Sequence, residues 1–356
     1  MANNIVLDYT NTPQMLEALK LEFPPRQFLK DRYFPDEEVF ATDEVLIEYK
    51  KGSQAMAPFV APEINGKIMA REGYSAKTYK PAMIKPKRAL TIDDLKKKGF
   101  GEALYAPLTP EERASKISLE DLKDMREGIA RRKEWMAAEV LQKNALTMKH
   151  YTDDNNKPKI KHIQFFEGSN NPALWTIDPT KTWDKAAADI FGDVRAMILD
   201  LNRNGHKATE VLMGENVATA IMNNDDVQKY LDNRRFEFGK FEPEELYDDV
   251  TLFAELNCKG KKAKFIEYSG TYLDDATNTM KPLIDPDSII VLAPNVGKTR
   301  YGAITQIDYG QTEFKTYVEK EVPLFEVKDQ TRSQILQSAP LMMPNEFCPF
   351  RVAKVL

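Results

Sequence analysis

Between Ala61 and Leu90 the chain reads APEINGKIMAREGYSAKTYKPAMIKPKRAL, a long basic stretch punctuated by glycine and proline with few apolar residues. Such a segment cannot bury a core of its own. Its alternating pieces, Lys77-Thr78-Tyr79-Lys80 and Met83-Ile84-Lys85, predict a two-stranded ribbon. An isolated ribbon is marginal in water until another surface completes it. The stretch is therefore a docking arm, and it points to a protein built to overlap its neighbours.

The remaining sequence supplies ordinary globular material. A length of 356 residues predicts two or three compact units with room for a sizeable core. With 42% hydrophobic and 29% charged residues, the composition indicates neither disorder nor a membrane protein. The longest purely apolar run, near Ile289 to Pro294, falls far below the roughly 18 residues of a membrane helix. The first eight residues, Met1 to Asp8, lack the basic start and apolar stretch of a secretory signal, so the protein is expected to stay where it is made. Cys258 and Cys348 are distant from each other, which argues against a disulfide scaffold or a four-thiolate zinc site and fits a reducing compartment. The net charge of -5 is unlike that of a nucleic-acid binder, so any DNA contact is expected to be weak, local and non-specific.

Along the chain, residues 1–45 read as an arm with one short helix, Pro13 to Leu21, broken by Pro24-Pro25 and Pro35. Val45 to Tyr49 predicts a strand leading into the extended loop of residues 46–90, with Lys51-Gly52 as a turn. The strongest helix signal begins at Ser118 as N-cap, with Glu120 and Asp121 in the first turn, and runs to about Leu146. Apolar residues at Leu122, Met125, Ile129, Met136 and Val140 mark its buried face, and Gly128 interrupts it. At about 1.5 Å per residue it forms a spine on the order of 40 Å long. A hairpin of Thr147–Tyr151 and Lys159–Phe165 follows, then a linker from Glu167 to Pro179. Beyond it, helices over Trp183–Asn202 and Glu215–Leu231 alternate with strands over Glu210–Met213, Phe265–Tyr268 and Ile289–Leu292. Strands over Phe314–Val322, Arg332–Leu341 and Phe350–Leu356 close the chain. The fold class is α+β, with residues 91–178 and 308–345 forming one unit and residues 179–307 and 346–356 the unit inserted in it.

No motif carries enzymatic chemistry. Asn295-Val296-Gly297-Lys298-Thr299 resembles the end of a phosphate loop, but the pattern needs glycine where Leu292 stands, and a surface turn is expected there instead. His150 and His162 could approach each other across the hairpin, yet two imidazoles do not make a zinc site. Gly99-Phe100-Gly101 lacks the third glycine of a dinucleotide fingerprint. The carboxylate pairs Asp225-Asp226 and Asp248-Asp249 read as solvated surface unless a cleft lies beneath them. Arg131-Arg132-Lys133, interleaved with Glu127, Glu134 and Glu139, reads as a self-compensated outer face or subunit contact. Trp135 lies off the main stripe, on a second packing face or against a neighbour. No enzyme, cofactor, metal site or membrane partner is expected.

In this order, arm, ribbon, spine, hairpin, insertion and returning strands resemble the major capsid proteins of tailed phages, specifically the lambda head protein family with its Hong Kong 97-type shell fold. The residues carrying the likeness start with Pro62, Ile64, Gly66, Ile68, Arg71 and Gly73, followed by Tyr79, Lys85 and Pro86. Tyr268-Ser269-Gly270-Thr271-Tyr272 and Arg300-Tyr301-Gly302 continue it, and Gln337 to Met342 followed by Pro344-Asn345-Glu346-Phe347 is its best match. The likeness spans residues 20–356 and is weakest over 242–262.

The resemblance implies a virion subunit made in the host bacterial cytoplasm, with a peripheral domain, an axial domain meeting its copies around five- and six-fold axes, and an extended loop lying over the next subunit. Pro62, Ile64, Gly66, Ile68, Arg71, Gly73, Tyr79, Met83 and Lys85 are then contact residues, and Gly52 and Gly168 are hinge candidates. It also implies scaffolding protein, portal and maturation protease as assembly partners, a decoration protein as a further possible one, and packaged double-stranded DNA as cargo. Two alternatives stand beside this reading: an encapsulin-like non-viral shell, and a nucleotide-binding enzyme resting on Gly297-Lys298-Thr299.

Overall fold

The protein is seen here as a computed structural model that describes residues 12–21, 25, 27–50, 74–92, 94, 109–151, 158–185, 188–231, 239–240, 243–274, 277–328 and 331–356. Its longest element is the spine helix Pro110–Lys143. The helix starts earlier than Ser118 because a stronger stop signal lies upstream. Thr109 accepts from the Glu112 amide, the Glu112 carboxylate accepts from the Thr109 amide at 2.9 Å, and proline fills the first turn. The polar turns EERASK after Pro110 carry no apolar rhythm and hide this start from periodicity. Ser118 instead lies inside the helix and donates to Gln334 Oε1 at 2.8 Å. The helix ends at Asn144, whose left-handed φ of 50° turns the chain directly into a strand at Ala145, before the expected Leu146.

Leu122, Met125, Ile129, Met136 and Val140 are each no more than 3% exposed. They serve two cores. Leu122, Met125 and Ile129 pack with Met15, Leu19 and Leu336, whereas Met136 and Val140 join a larger core containing Leu29, Tyr33 and Leu341. A three-stranded sheet completes that larger core, with Gly297–Tyr301 parallel to Asp36–Val39 and antiparallel to Pro340–Pro344. The turn expected over residues 295–303 is thus largely a buried strand. Gly297 is required there by packing, since a Cβ would meet the Phe34 ring at 2.2 Å.

An eight-stranded sheet has a path that runs through Glu244–Tyr247, Val250–Cys258, Lys261–Tyr268, Glu210–Met213, Ser288–Leu292, Arg351–Lys354 and Leu174–Trp175. The strand Ser288–Leu292 is buried throughout and apolar from Ile289 to Leu292, because both its faces are covered. Ile289 and Val291 face a core with Val194, Met197 and Ile198 of the helix Ile190–Arg203, and Ile290 and Leu292 face the core shared with the spine. This helix is shorter than expected: Trp183 lies before it, 1% exposed, with its indole donating to Asp193 at 3.0 Å. The helix expected over Glu215–Leu231 is broken at Asn224 into Glu215–Asn223 and Asp225–Leu231.

A short helix, Phe28–Tyr33, joins these parts although it lies within the segment expected to be an arm. Glu134 of the spine is 7% exposed and accepts from the amides of Leu29 (2.7 Å) and Lys30 (3.1 Å) and from the Tyr268 hydroxyl (3.1 Å). Burial pushes the Glu134 carboxyl above its usual range against the pull of these donors. At the other end, Arg32 clamps Glu210 through two nitrogens, Nε at 2.8 Å, and the Tyr33 hydroxyl donates to the same carboxylate. Lys133 also turns inward, 6% exposed, to Glu321 at 2.8 Å, with Arg126 on the same carboxylate. The basic triplet is therefore not one outer face, although Glu139–Lys143 and Glu127–Arg131 do pair on the outside. Trp135 is half-buried against Tyr272 under the Arg132 guanidinium. Glu37 accepts from the Tyr301 hydroxyl at 3.0 Å and pairs with Lys30 and Lys320. Burial opposes its ionisation, but the two ammonium groups prevail and hold its pKa at about 2, below the ordinary 4.5.

Three outcomes follow from this packing. Gly128→Ala is expected to stabilise the subunit by about 0.5–1 kcal/mol in urea denaturation, since the added methyl meets no atom within 4 Å. Glu134→Ala leaves two buried amides and the Tyr268 hydroxyl without their acceptor and is expected to cost roughly 2–4 kcal/mol in the same assay. Because Glu37 has a lowered folded pKa, its contribution is present above about 4.5 and is lost as pH falls toward about 2. Urea midpoints measured across that window are expected to fall more steeply in the wild type than in Glu37→Gln; parallel curves would refute the assignment.

Candidate assembly surfaces

The ribbon forms with a different partner from the one its local alternation suggests. Tyr74–Tyr79 pairs antiparallel with Val45–Lys50, from Val45 opposite Tyr79 to Lys50 opposite Tyr74. Pro81 and Pro86 bracket the other piece, and Ile84 makes only an isolated bridge to Ser338. The ribbon is rooted on the hairpin Ala145–Tyr151 and Pro158–Gln164, which continues from the spine. Tyr79 stacks edge-on against Phe165 at 6.2 Å and its hydroxyl donates to the Gln164 carbonyl; Lys161 donates to the Lys80 carbonyl, and Lys80 pairs with Asp43 at 2.5 Å. Tyr79 thus packs within its own chain in this structure, whereas Met83 is 41% exposed and Lys85 is exposed. Pro62, Ile64, Gly66, Ile68, Arg71, Gly73 and Gly52 lie outside the described residues. Gly168 is exposed at φ +83° with no atom near its missing side chain, a conformation that glycine adopts without strain.

Two short hairpins carry apolar pairs in water. Leu273 faces Met280 across one, 54% and 63% exposed, and Ile307 faces Phe314 across the other, 42% and 76% exposed. The sequence does not single out these pairs, because one or two apolar residues in a strand of four give no periodic signal. A further concavity of about 380 Å³ lies between the spine and the strand ends near Tyr247 and Val250, floored by Phe28, Tyr247, Tyr268 and Tyr272.

Among the described residues no group of three or more His, Cys, Asp or Glu is placed to hold a metal. His162 lies opposite Thr147 and His150 opposite Lys159, so the hairpin register does not set the two histidines across from each other. His206 is held by Glu346 at 2.8 Å and the Phe347 carbonyl. Burial pushes the Cys258 thiol up to about 12 and the Cys348 thiol to about 11, so both are inert thiols in the interior. Thr299, in the segment that resembles a phosphate loop, donates its hydroxyl to the Phe34 carbonyl at 3.0 Å inside the sheet. No helix among the described residues is long and apolar enough to cross a membrane.

Comparison with known proteins matches the same elements. The chain is 24% identical over 360 residues to the major capsid protein of Enterobacteria phage phi80, covering 96% of this chain and 98% of that one. It is 23% identical over 349 residues to the major capsid protein of Escherichia phage lambda, with the same coverage. A prophage protein of Escherichia coli CFT073, solved as a candidate capsid protein, superposes with a TM-score of 0.65 at 17% identity, covering 97% of this chain and 99% of the other. The α+β architecture is the Hong Kong 97-type capsid fold that the resemblance implied. The family model for phage major capsid protein E matches residues 11–351, and the chain belongs to that family of structural head proteins.

Proposed function

We propose that copies of this chain close into an icosahedral head around double-stranded DNA, each copy laying its extended loop over the next. The observation that carries this reading is the rooted ribbon: it is fixed to the spine hairpin at Tyr79 and Lys80, and the chain leaves it at Lys50 and returns at Tyr74. Fully extended, that excursion reaches on the order of 40 Å, enough to cross onto a neighbouring subunit. Pro62, Ile64, Gly66, Ile68, Arg71 and Gly73 lie on it or beside its end, and Met83 and Lys85 follow it on the surface. The peripheral domain comprises residues 91–178 and 308–345 and the axial domain residues 179–307 and 346–356, with Gly168 near their junction and Gly52 at the loop base as hinges.

Many weak contacts of this kind multiply through closure, so no single one has to be strong. Early errors then dissociate while finished shells persist. Expansion of a rounded precursor as DNA enters requires loop and domains to move, which is the role of the two glycines. Scaffolding protein, portal and maturation protease are the assembly partners this reading needs, a decoration protein is an optional outer one, and the virion is where the product resides. Binding of DNA is weak and non-specific, in keeping with the net charge of -5. The family match over residues 11–351 favours a phage head over an encapsulin-like shell, and the buried strand at Gly297-Lys298-Thr299 weighs against nucleotide chemistry.

Replacing residues 52–72 by an Asn-Gly turn keeps the ribbon base and is expected to give a folded subunit, with unchanged far-ultraviolet circular dichroism, that forms no closed shells by negative-stain microscopy beside a shell-forming wild type. Normal shells from the shortened protein would overturn the docking role.

A further inference from the structure

Two strands on different sheets follow each other near the carboxyl end, Pro340–Pro344 of the three-stranded sheet and Arg351–Lys354 of the eight-stranded one. The residues between them, Asn345 to Phe350, form a crossover that bends whenever one sheet moves against the other. Cys348 sits in it at φ 54°, a left-handed conformation that a residue with a side chain adopts at a cost. This bend is held by the end of the helix Ile190–Arg203. Arg351 donates to the carbonyls of Cys348 (3.1 Å) and Phe350 (3.0 Å), and Asp200 of the helix anchors its guanidinium at 2.8 Å. Just past the helix, His206 reaches the crossover with both ring nitrogens. Nδ1 lies 2.8 Å from a Glu346 carboxylate oxygen and Nε2 3.1 Å from the Phe347 carbonyl oxygen, and the side chain is only 12% exposed.

Both of those oxygens accept. A neutral imidazole has one N–H, so one of the two contacts then sets a lone pair against an oxygen, whereas the imidazolium donates to both. The charged groups around the ring, among the described residues, do not replace that proton. Asp200 and Arg351 are taken by each other, and Glu210 on the following strand is taken by Arg32 and Tyr33. The Cys348 thiol is buried, and Arg203 and Lys207 on either side of the turn are exposed. Glu346 is 61% exposed, so water receives it when the ring lets go. The geometry points to a proton-operated latch, in which His206 fastens the crossover while its ring is charged and releases it when the ring is neutral. Histidine is the side chain that changes charge between about pH 5 and 8. The junction between the two sheets is then fastened at the acid end of that range and freed at the alkaline end, a local charge change acting on a strained bend. The latch belongs to the folded subunit and stands apart from the shell reading.

The two buried thiols supply the test. Cys348 lies in the crossover and reports its opening, while Cys258, packed between the large sheet and its helices, reports unfolding of the whole. Labelling of each thiol by dithiodipyridine is followed by peptide mass spectrometry at about pH 5.5 and about pH 8, in the full-length wild type, His206→Gln and Glu346→Ala. Taking each rate relative to wild type at the same pH cancels the pH dependence of the thiol chemistry. Cys348 is expected to react about three- to tenfold faster in either variant at the acid pH, the loss of one charged hydrogen bond partly open to water. At the alkaline pH the variants and the wild type are expected to react alike, and Cys258 is expected to be unchanged at both. A Cys348 ratio that is the same at both pH values overturns the latch, because packing alone does not titrate. Equal acceleration of Cys258 overturns it as well, since that means general destabilisation. If His206→Gln does not fold, Glu346→Ala, which alters an exposed side chain, decides by the same criteria.

Discussion

The acceptor role of Glu134 holds the subunit together. An ionised carboxylate at this depth is costly unless it is paired or saturated with donors, and here two helix-terminal amides and a phenol supply them. Each donor comes from a different part of the chain than the acceptor: the amides from the short helix Phe28–Tyr33, the phenol from a strand of the large sheet, the carboxylate from the spine. The arrangement also satisfies amides at the start of a helix that has no side-chain cap of its own. One buried group thereby fixes the position of three elements. The bidentate Arg32–Glu210 pair repeats the principle at the other end of the same helix.

With that junction fixed, the two sides of the large sheet acquire separate tasks. One face is closed by the helices Ile190–Arg203 and Glu215–Asn223, and the other packs against the spine and the three-stranded sheet. The spine itself is shared along its length, its first half packed on the helix Thr12–Leu21 and its second half in the central core. The spine runs on into the hairpin Ala145–Tyr151 and Pro158–Gln164, and the end of the ribbon is held to it by Tyr79 on Phe165 and by Lys161 on the Lys80 carbonyl. A shell subunit needs that continuity, because contacts made far from the core act on the whole body only through a stiff element.

The sequence alone determined the features with a period or a punctuation mark: the five buried positions of the spine, the hairpin after it, and the strands Glu210–Met213 and Ser288–Leu292. These are local patterns, and hydrophobic spacing reports them directly. Tertiary structure alone decided the rest. Phe28–Tyr33 is too short and too proline-flanked to announce itself as a helix, and its stability comes from Glu134 and Glu210, which are distant in sequence. Gly297–Tyr301 mimics a turn because glycine opens it, yet that glycine makes room for the Phe34 ring. Lys133 reads as surface until Glu321 is brought beside it. Asp248 and Asp249 likewise look like any acidic pair until the sheet and the spine put an aromatic floor beneath them. Spacing along the chain fixes which face of an element is apolar, whereas the worth of a charge or a glycine depends on what packs against it, and that is set only when distant segments meet.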